Sequence, residues 1–304
     1  MIRLAGLALF GLLGLLATPA TAKLFDKTPR TVVMTAFPPE WDALVRSVEK
    51  PKSYKINGGT FLTGTMGGKP VLLMQSNVSM VNAAMNSQLV IDRFAVKRIV
   101  FSGIAGGVDP ALSIGDVVVP ADWAQYLEVS FARQTPKGWV VPEPVDGDAP
   151  PNFGMMFPRG VRLGNAAQPM RRHYRLPVDA ALLDLARKTA ATVTLRRCVN
   201  GSAACLVHEP RIVVGGTGVS AGVFADNAAF RDYLFKAWAA DVLDMESAAV
   251  VQVAYANQVP VIVFRSLSDL AGGDAGENQM NTFMALASSN SADVVRAFVA
   301  ALPD

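Results

Sequence analysis

Cysteine and histidine occur only twice each, and charged residues make up 17% of the 304-residue chain. His173 and His208 lie near prolines and polar residues and not in a metal-ligand spacing such as H-x-x-x-H, so no metal site is expected. There is no G-x-S-x-G elbow, which leaves a Ser-His hydrolase without support. There is no G-x-x-x-x-G-K-[ST], which argues against a P-loop nucleotidase. No cofactor box of the G-x-G-x-x-G kind appears, and no cofactor is expected. No apolar run reaches the roughly 20 residues that a membrane-spanning helix needs. What remains for acid–base chemistry is carboxylates.

Net charge is also scarce. Residues 1–22 hold one charge, Arg3, then the apolar run 4–17 and the tripeptide Ala20-Thr21-Ala22. This reads as a secretory signal peptide; an uncleaved anchor would have the same composition. With cleavage the mature domain is residues 23–304, exported to the periplasm or beyond, with no stable membrane span. Its 27 basic and 25 acidic residues leave a charge of +2, which excludes a strong electrostatic case for a nucleic acid polymer as partner. The length suits one large domain with a sizeable core. In an oxidising compartment Cys198 and Cys205 are expected to form a local disulfide, because the Asn200-Gly201 turn between them can bring the sulfurs together.

Apolar β-rich runs alternate with helical patterns along the chain. Strands are expected at 30–36, 60–65, 70–76, 98–102, 116–120, 123–131, 210–216, 241–243 and 260–267. Helices are expected from Glu40-Trp41 onward with Trp41, Leu44, Val45 and Val48 on one face, and at 80–94, 178–193, 226–238, 244–257 and 282–302. Continuous apolar strands between helices predict an α/β domain covered on both faces. Residues 133–177 carry eight prolines, too many for long helices or central strands. This Pro-rich insertion reads as a lid, an oligomer contact or a passive surface excursion.

Ligands in open α/β sheets bind at the carboxyl ends of strands, and here those ends carry Glu40, the glycine run 103–107 and Arg265-Ser266-Leu267-Ser268-Asp269, with Glu246 at a helix start. Each has a bland reading. Glu40 is a favourable acid near a helix N-terminus, the glycine run is a tight turn, and Asp269 caps a turn. Glu246 is harder to dismiss, since burying a carboxylate without partners is costly.

Taken together, Thr35-Ala36-Phe37-Pro38-Pro39-Glu40, Ser102-Gly103-Ile104-Ala105-Gly106-Gly107-Val108, Ser113-Ile114-Gly115-Asp116-Val117-Val118-Val119, Asp244-Met245-Glu246-Ser247-Ala248-Ala249 and Arg265-Ser266-Leu267-Ser268-Asp269-Leu270 resemble the nucleoside phosphorylase/nucleosidase superfamily. Within it the chain is most similar to 5′-methylthioadenosine/S-adenosylhomocysteine nucleosidases. The cysteine region and residues 224–232 also resemble plant bark-storage proteins. The resemblance implies a three-layer α/β sandwich with a mixed central sheet, a homo-oligomer whose site is shared with a neighbouring subunit, and a purine nucleoside as small-molecule partner. It implies that Asp269 protonates the purine with support from Ser268, and that Glu246 binds ribose hydroxyls with Met245 under the sugar. Glu40 would activate water with Arg265 nearby, Phe224 would stack on the base, and Ala105 and Gly106 would let the backbone approach the ligand.

The implied activity is hydrolysis of the N-glycosidic bond of 5′-methylthioadenosine, S-adenosylhomocysteine or an adenosine-like nucleoside. Two carboxyls across the scissile bond follow the logic of inverting glycosidases. The alternatives are a purine nucleoside phosphorylase and a non-catalytic nucleoside-binding or storage-like protein. Ile104 stands where the nucleosidases usually carry Ser, which keeps the non-catalytic alternative open. Phe101 and Ile104 stand where hexameric phosphorylases carry phosphate-binding side chains, which favours water as the nucleophile.

Overall fold

The computed structural model describes residues 24–303; the expected leader lies outside them. Strand β1 (Asp26–Thr35) leads into helix α1 (Pro38–Val45). An antiparallel meander of β2 (Glu49–Ile56), β3 (Gly59–Met66) and β4 (Lys69–Gln75) follows, with β4 returning parallel to β1. Helix α2 (Met80–Arg93) then crosses to β5 (Phe94–Gly107). Next come β6 (Val117–Val119) and β7 (Asp122–Gln125).

The Pro-rich insertion forms short ribbons. β8 (Val129–Phe131) pairs with β11 (Met156–Pro158), β9 (Arg133–Thr135) with β10 (Gly138–Val140), and β12 (Val161–Asn165) with β13 (Gln168–His173). β14 (Leu176–Pro177) rejoins the main sheet against β7. These strands of two to six residues, none of them central in the main sheet, match the expectation that prolines cannot sit in a central ladder. The expected strand 123–131 is split, since its second half pairs with the insertion and not with the sheet. The chain continues through α3 (Ala180–Ala190), β15 (Ile212–Val214), β16 (Thr217–Ser220), α4 (Ala228–Trp238), β17 (Ala240–Asp244), α5 (Ser247–Ala256), β18 (Val261–Asp269) and α6 (Met280–Ala301).

Among the described residues the main sheet has 12 strands of mixed direction. All nine residues of β18 are buried. Because side chains alternate along a strand, Phe264 and Arg265 face opposite ways. Phe264 meets Phe298 of α6, and Arg265 bonds Ser247 at the start of α5. Helices therefore cover both faces of the sheet, giving the α/β sandwich expected from the resemblance. Burial of strand side chains such as Val261, Ile262 and Val263 contributes about 1.5–3 kcal/mol each.

One feature of the sheet makes the site. β18 runs parallel to β5 along Ile99–Gly106 and occupies one of its edges. The other edge is shared by two strands. β1 runs parallel to β5 and leaves it at Met34↔Phe101, while β17 runs antiparallel and joins it at Leu243↔Gly106. Parallel and antiparallel neighbours on one edge point their carboxyl ends at each other. The gap between them lies beside Gly103, Ile104 and Ala105. The glycine run is thus the continuation of β5 and not a turn after it, because ladder bonds to β18 hold it extended.

Cys198 and Cys205 form the expected disulfide, with an S–S distance of 2.04 Å, and pair as an isolated antiparallel bridge in the loop between α3 and β15.

Candidate active site

A cavity of about 250 Å³ fills the gap beside β5. Its lining includes Glu40, Ala105, Gly106, Phe224, Met245, Glu246, Ser268 and Asp269, so eight of the nine residues expected around a ligand meet there. The ninth, Arg265, does not reach the cavity. It is fully buried behind the carboxylates. No residue of 133–177 lines the cavity either, so the insertion does not cover it within this chain.

Glu40 comes from the first turn of α1. Pro38 and Pro39 occupy the first helical positions, where a missing N–H costs nothing. The Glu40 side chain reaches back so that Oε2 accepts from the Ala36 amide at 2.6 Å, and Oε1 accepts from the Ile104 amide at 2.8 Å. Glu40 therefore lies in the first turn of a helix and in the cavity wall at once. Burial raises the Glu40 pKa, opposed by Arg265 and by the amides.

Glu246 is not on the helix expected at 244–257. It sits between the end of β17 and the first turn of α5. Its Oε1 accepts from the Ser79 amide at 2.8 Å. Ser79 has φ 86° and ψ 153°, a region almost reserved for glycine, and such strain concentrates at functional sites. Burial and the neighbouring Asp244 push the Glu246 pKa up to about 7, against the pull of Arg265.

Asp269 ends β18. Its Oδ2 accepts from Ser268 Oγ at 2.9 Å, and its Oδ1 accepts from the Ala271 amide at 2.9 Å and from Asn278 Nδ2 at 3.4 Å. Burial raises its pKa despite these donors, which favours a carboxyl that holds a proton.

Arg265 organises the other side. Its Nε lies 2.7 Å from Asp244 Oδ2, its Nη1 3.7 Å from Glu40 Oε1 and its Nη2 3.7 Å from Glu246 Oε2. The Phe101 ring lies against the guanidinium, 4.2 Å from Cζ to centroid. One cation faces three buried carboxylates, which leaves a surplus of negative potential suited to a cationic sugar transition state. The close packing explains Gly103. A Cβ there would collide with Arg265 Nη1 and stand 2.6 Å from Glu40 Oε1.

Sequence reasoning did not assign Asp244, Ser247, the Ser79 amide or Asn278 to the site. Asp244 and Ser247 were visible as letters of the D-M-E-S string. Their contacts depend on where β17 ends against β5, whose other edge carries Arg265 on β18. No sequence signal marked Ser79 or Asn278. Among the described residues the cavity lining holds four acids and no Lys, Arg or His. His173 and His208 bond the carbonyls of Leu163 and Ile114 through Nε2, away from it.

The sequence profile of the phosphorylase superfamily matches residues 30–300. The 5′-methylthioadenosine/S-adenosylhomocysteine nucleosidase of Mycobacterium bovis is 29% identical over 263 residues, 86% of this chain and 94% of that protein. Bark storage protein B of Populus deltoides is 24% identical over 257 residues, 83% of this chain and 80% of that protein. Two solved structures share the fold. The 5′-methylthioadenosine/S-adenosylhomocysteine nucleosidase of Neisseria meningitidis, bound to methylthio-immucillin-A, gives a TM-score of 0.67 at 22% identity over 90% of this chain and 100% of that one. The futalosine hydrolase of Helicobacter pylori gives 0.67 at 20% identity over 90% and 98%. With its profile match, its relatives and its carboxylate-lined cleft beside β5, the chain belongs to the phosphorylase superfamily.

Proposed function

We propose that this chain is an N-glycosyl hydrolase that cleaves purine nucleosides to free base and sugar, with 5′-methylthioadenosine, S-adenosylhomocysteine or an adenosine-like nucleoside as substrate. The observation that carries this reading is the lining of the cavity, four acids without a basic side chain. Phosphate would enter such a cavity against like charge, and water would not. Phe101, at a position where phosphate-binding relatives carry a cation, packs against Arg265.

In this reading Glu40 takes a proton from water as the water oxygen bonds C1′ of the sugar. The C1′–N9 bond breaks, and Asp269 passes its proton to N7 of the departing purine. Glu246 accepts from ribose hydroxyls and, with Glu40 and Asp244, stabilises the positive charge that develops on the sugar. Met245 packs beneath the sugar. Phe224, half exposed at the cavity mouth, stacks on the base.

Export from the cytoplasm is part of the proposal. It is supported by the composition of residues 1–22 and by the Cys198–Cys205 disulfide. A homo-oligomer is supported by Val81 and Met85, exposed on α2, and by Val78 at the cavity edge; sedimentation of a monomer at working concentration would remove this part.

The test is incubation with 5′-methylthioadenosine, adenosine and inosine, with and without phosphate. Free sugar at the same rate in both conditions is expected. Sugar 1-phosphate formed only with phosphate overturns hydrolysis in favour of phosphorolysis. Binding without turnover overturns catalysis altogether, and would align the chain with the storage-like alternative.

A further inference from the structure

The carboxylate closest to Arg265 is neither of the two placed beside water and sugar. Asp244 Oδ2 lies 2.7 Å from Nε, whereas Glu40 and Glu246 each stand 3.7 Å from the guanidinium. Asp244 is itself held on several sides. Its Oδ1 accepts from Ser220 Oγ and from the amides of Glu246 and Ser247, the latter two at 3.1 Å. Its Oδ2 accepts from Ser247 Oγ. That same hydroxyl oxygen accepts from Arg265 Nε at 3.0 Å and from Nη2 at 2.7 Å. The guanidinium is a rigid planar fork, so fixing Nε fixes the directions of both terminal nitrogens.

We propose that Asp244, seated on Ser220 and Ser247, is a positioning residue that clamps Arg265 through Nε, aiming Nη1 at Glu40 and Nη2 at Glu246 while keeping the cation too far from either to neutralise it. This rests on the reading of Glu40 and Glu246 as the water-facing and sugar-facing carboxylates. Without the clamp Arg265 would close on one of the two, and the surplus negative potential at the sugar would fall.

The groups that face Glu246 are Asp244 from β17, Arg265 from β18, Glu40 from α1 and the Ser79 amide at the start of α2. The hydroxyl of Tyr126, buried and without a hydrogen-bond partner among the described residues, faces Asp244. A fixed anion beside Glu246 favours its protonated form. Removing that anion, and releasing Arg265 toward Glu246, both favour ionisation. The titration of Glu246 therefore moves toward acid when Asp244 loses its charge.

Asp244→Asn is the test, since its carbonyl oxygen can keep the Ser220, Glu246 and Ser247 donors while the charge goes. Carbon-13 NMR of glutamate carboxyls, assigned with Glu246→Gln, reads the Glu246 midpoint without turnover. A fall of about one pH unit or more is expected. On 5′-methylthioadenosine the acid limb of kcat/KM should move by the same amount, with kcat lowered about tenfold or more and KM changed far less. An unchanged Glu246 midpoint in a folded Asp244→Asn protein, judged by circular dichroism, overturns the proposal. If Asp244→Asn does not fold, Ser247→Ala carries the test, with a smaller shift in the same direction expected and no shift overturning the clamp. A shifted midpoint in a protein whose wild type turns over no nucleoside supports the clamp and removes the nucleosidase reading instead.

Discussion

The Ile104 amide donates to Glu40 Oε1 at 2.8 Å, and the Ile104 side chain forms part of the cavity wall. The position at which the resemblance implies a departure from the nucleosidases therefore holds Glu40 through its backbone. A hydrogen bond from the main chain is indifferent to the side chain attached to it. Ile104 is thus compatible with a working carboxylate. What the side chain changes is the polarity of the wall beside it.

Asp269 is expected to be needed as a proton donor. Asp269→Asn keeps the shape and cannot donate an acidic proton, so turnover of purine nucleosides should fall by about 10²–10⁴-fold. Product release followed by chromatography checks this. A rate within a few-fold of wild type would remove Asp269 from the acid role.

Glu246 makes stability depend on pH. Its ordinary pKa is 4.5 and its folded value about 7, so the folded state binds more protons between those values. Its favourable contribution is full below pH 4.5 and is lost as pH rises through 7. The loss amounts to at most about 3 kcal/mol. Urea unfolding at pH 5 and pH 8 should show the wild type losing stability toward pH 8, and Glu246→Gln losing less. Equal slopes in the two proteins would contradict the buried-carboxylate account.

Gly103→Ala should damage the site without emptying the core. The added Cβ would displace Arg265 Nη1 and crowd Glu40 Oε1, and neither group can retreat, because both are buried. Overpacking of this kind costs about 1–3 kcal/mol of stability. Turnover is expected to fall by more than tenfold, with KM changed less than kcat. Steady-state kinetics together with a thermal melt separate the two effects.

The disulfide should matter for stability and not for chemistry. Closing so short a loop is worth roughly 2–3 kcal/mol in the chain-entropy account. The paired variant Cys198→Ser with Cys205→Ser is expected to melt lower, with kcat on 5′-methylthioadenosine unchanged. Thiol titration of the native protein without reductant should find no free thiol, and two would count against the bridge.

Much of the architecture was legible because its signals are local. Alternating apolar runs marked β1, β4, β5 and β18, and the carboxylates at their ends stood out because acids next to apolar strands are costly to bury. Outside the insertion, two strands escaped for opposite reasons. β2 (EKPKSYKI) is mostly exposed and polar, as an edge strand is. β16 (TGVS) is fully buried yet too short and glycine-containing to show a period. The insertion was recognised from its prolines, but where its ribbons pack could not be read from them.

The sequence by itself determined the chemical inventory: Glu40, Glu246 and Asp269, a lone arginine among them, and a disulfide pair in place of reactive thiols. Only the tertiary structure decided how that inventory is divided. Two strands of opposite direction share one edge of β5, and their ends bring Glu40 and Glu246 to the same gap from residues more than 200 apart in the chain. Arg265 is set behind them and tied to Asp244, out of the cavity. Pairing direction and register depend on which strands compete for an edge, a property of the whole sheet that no local stretch of residues carries.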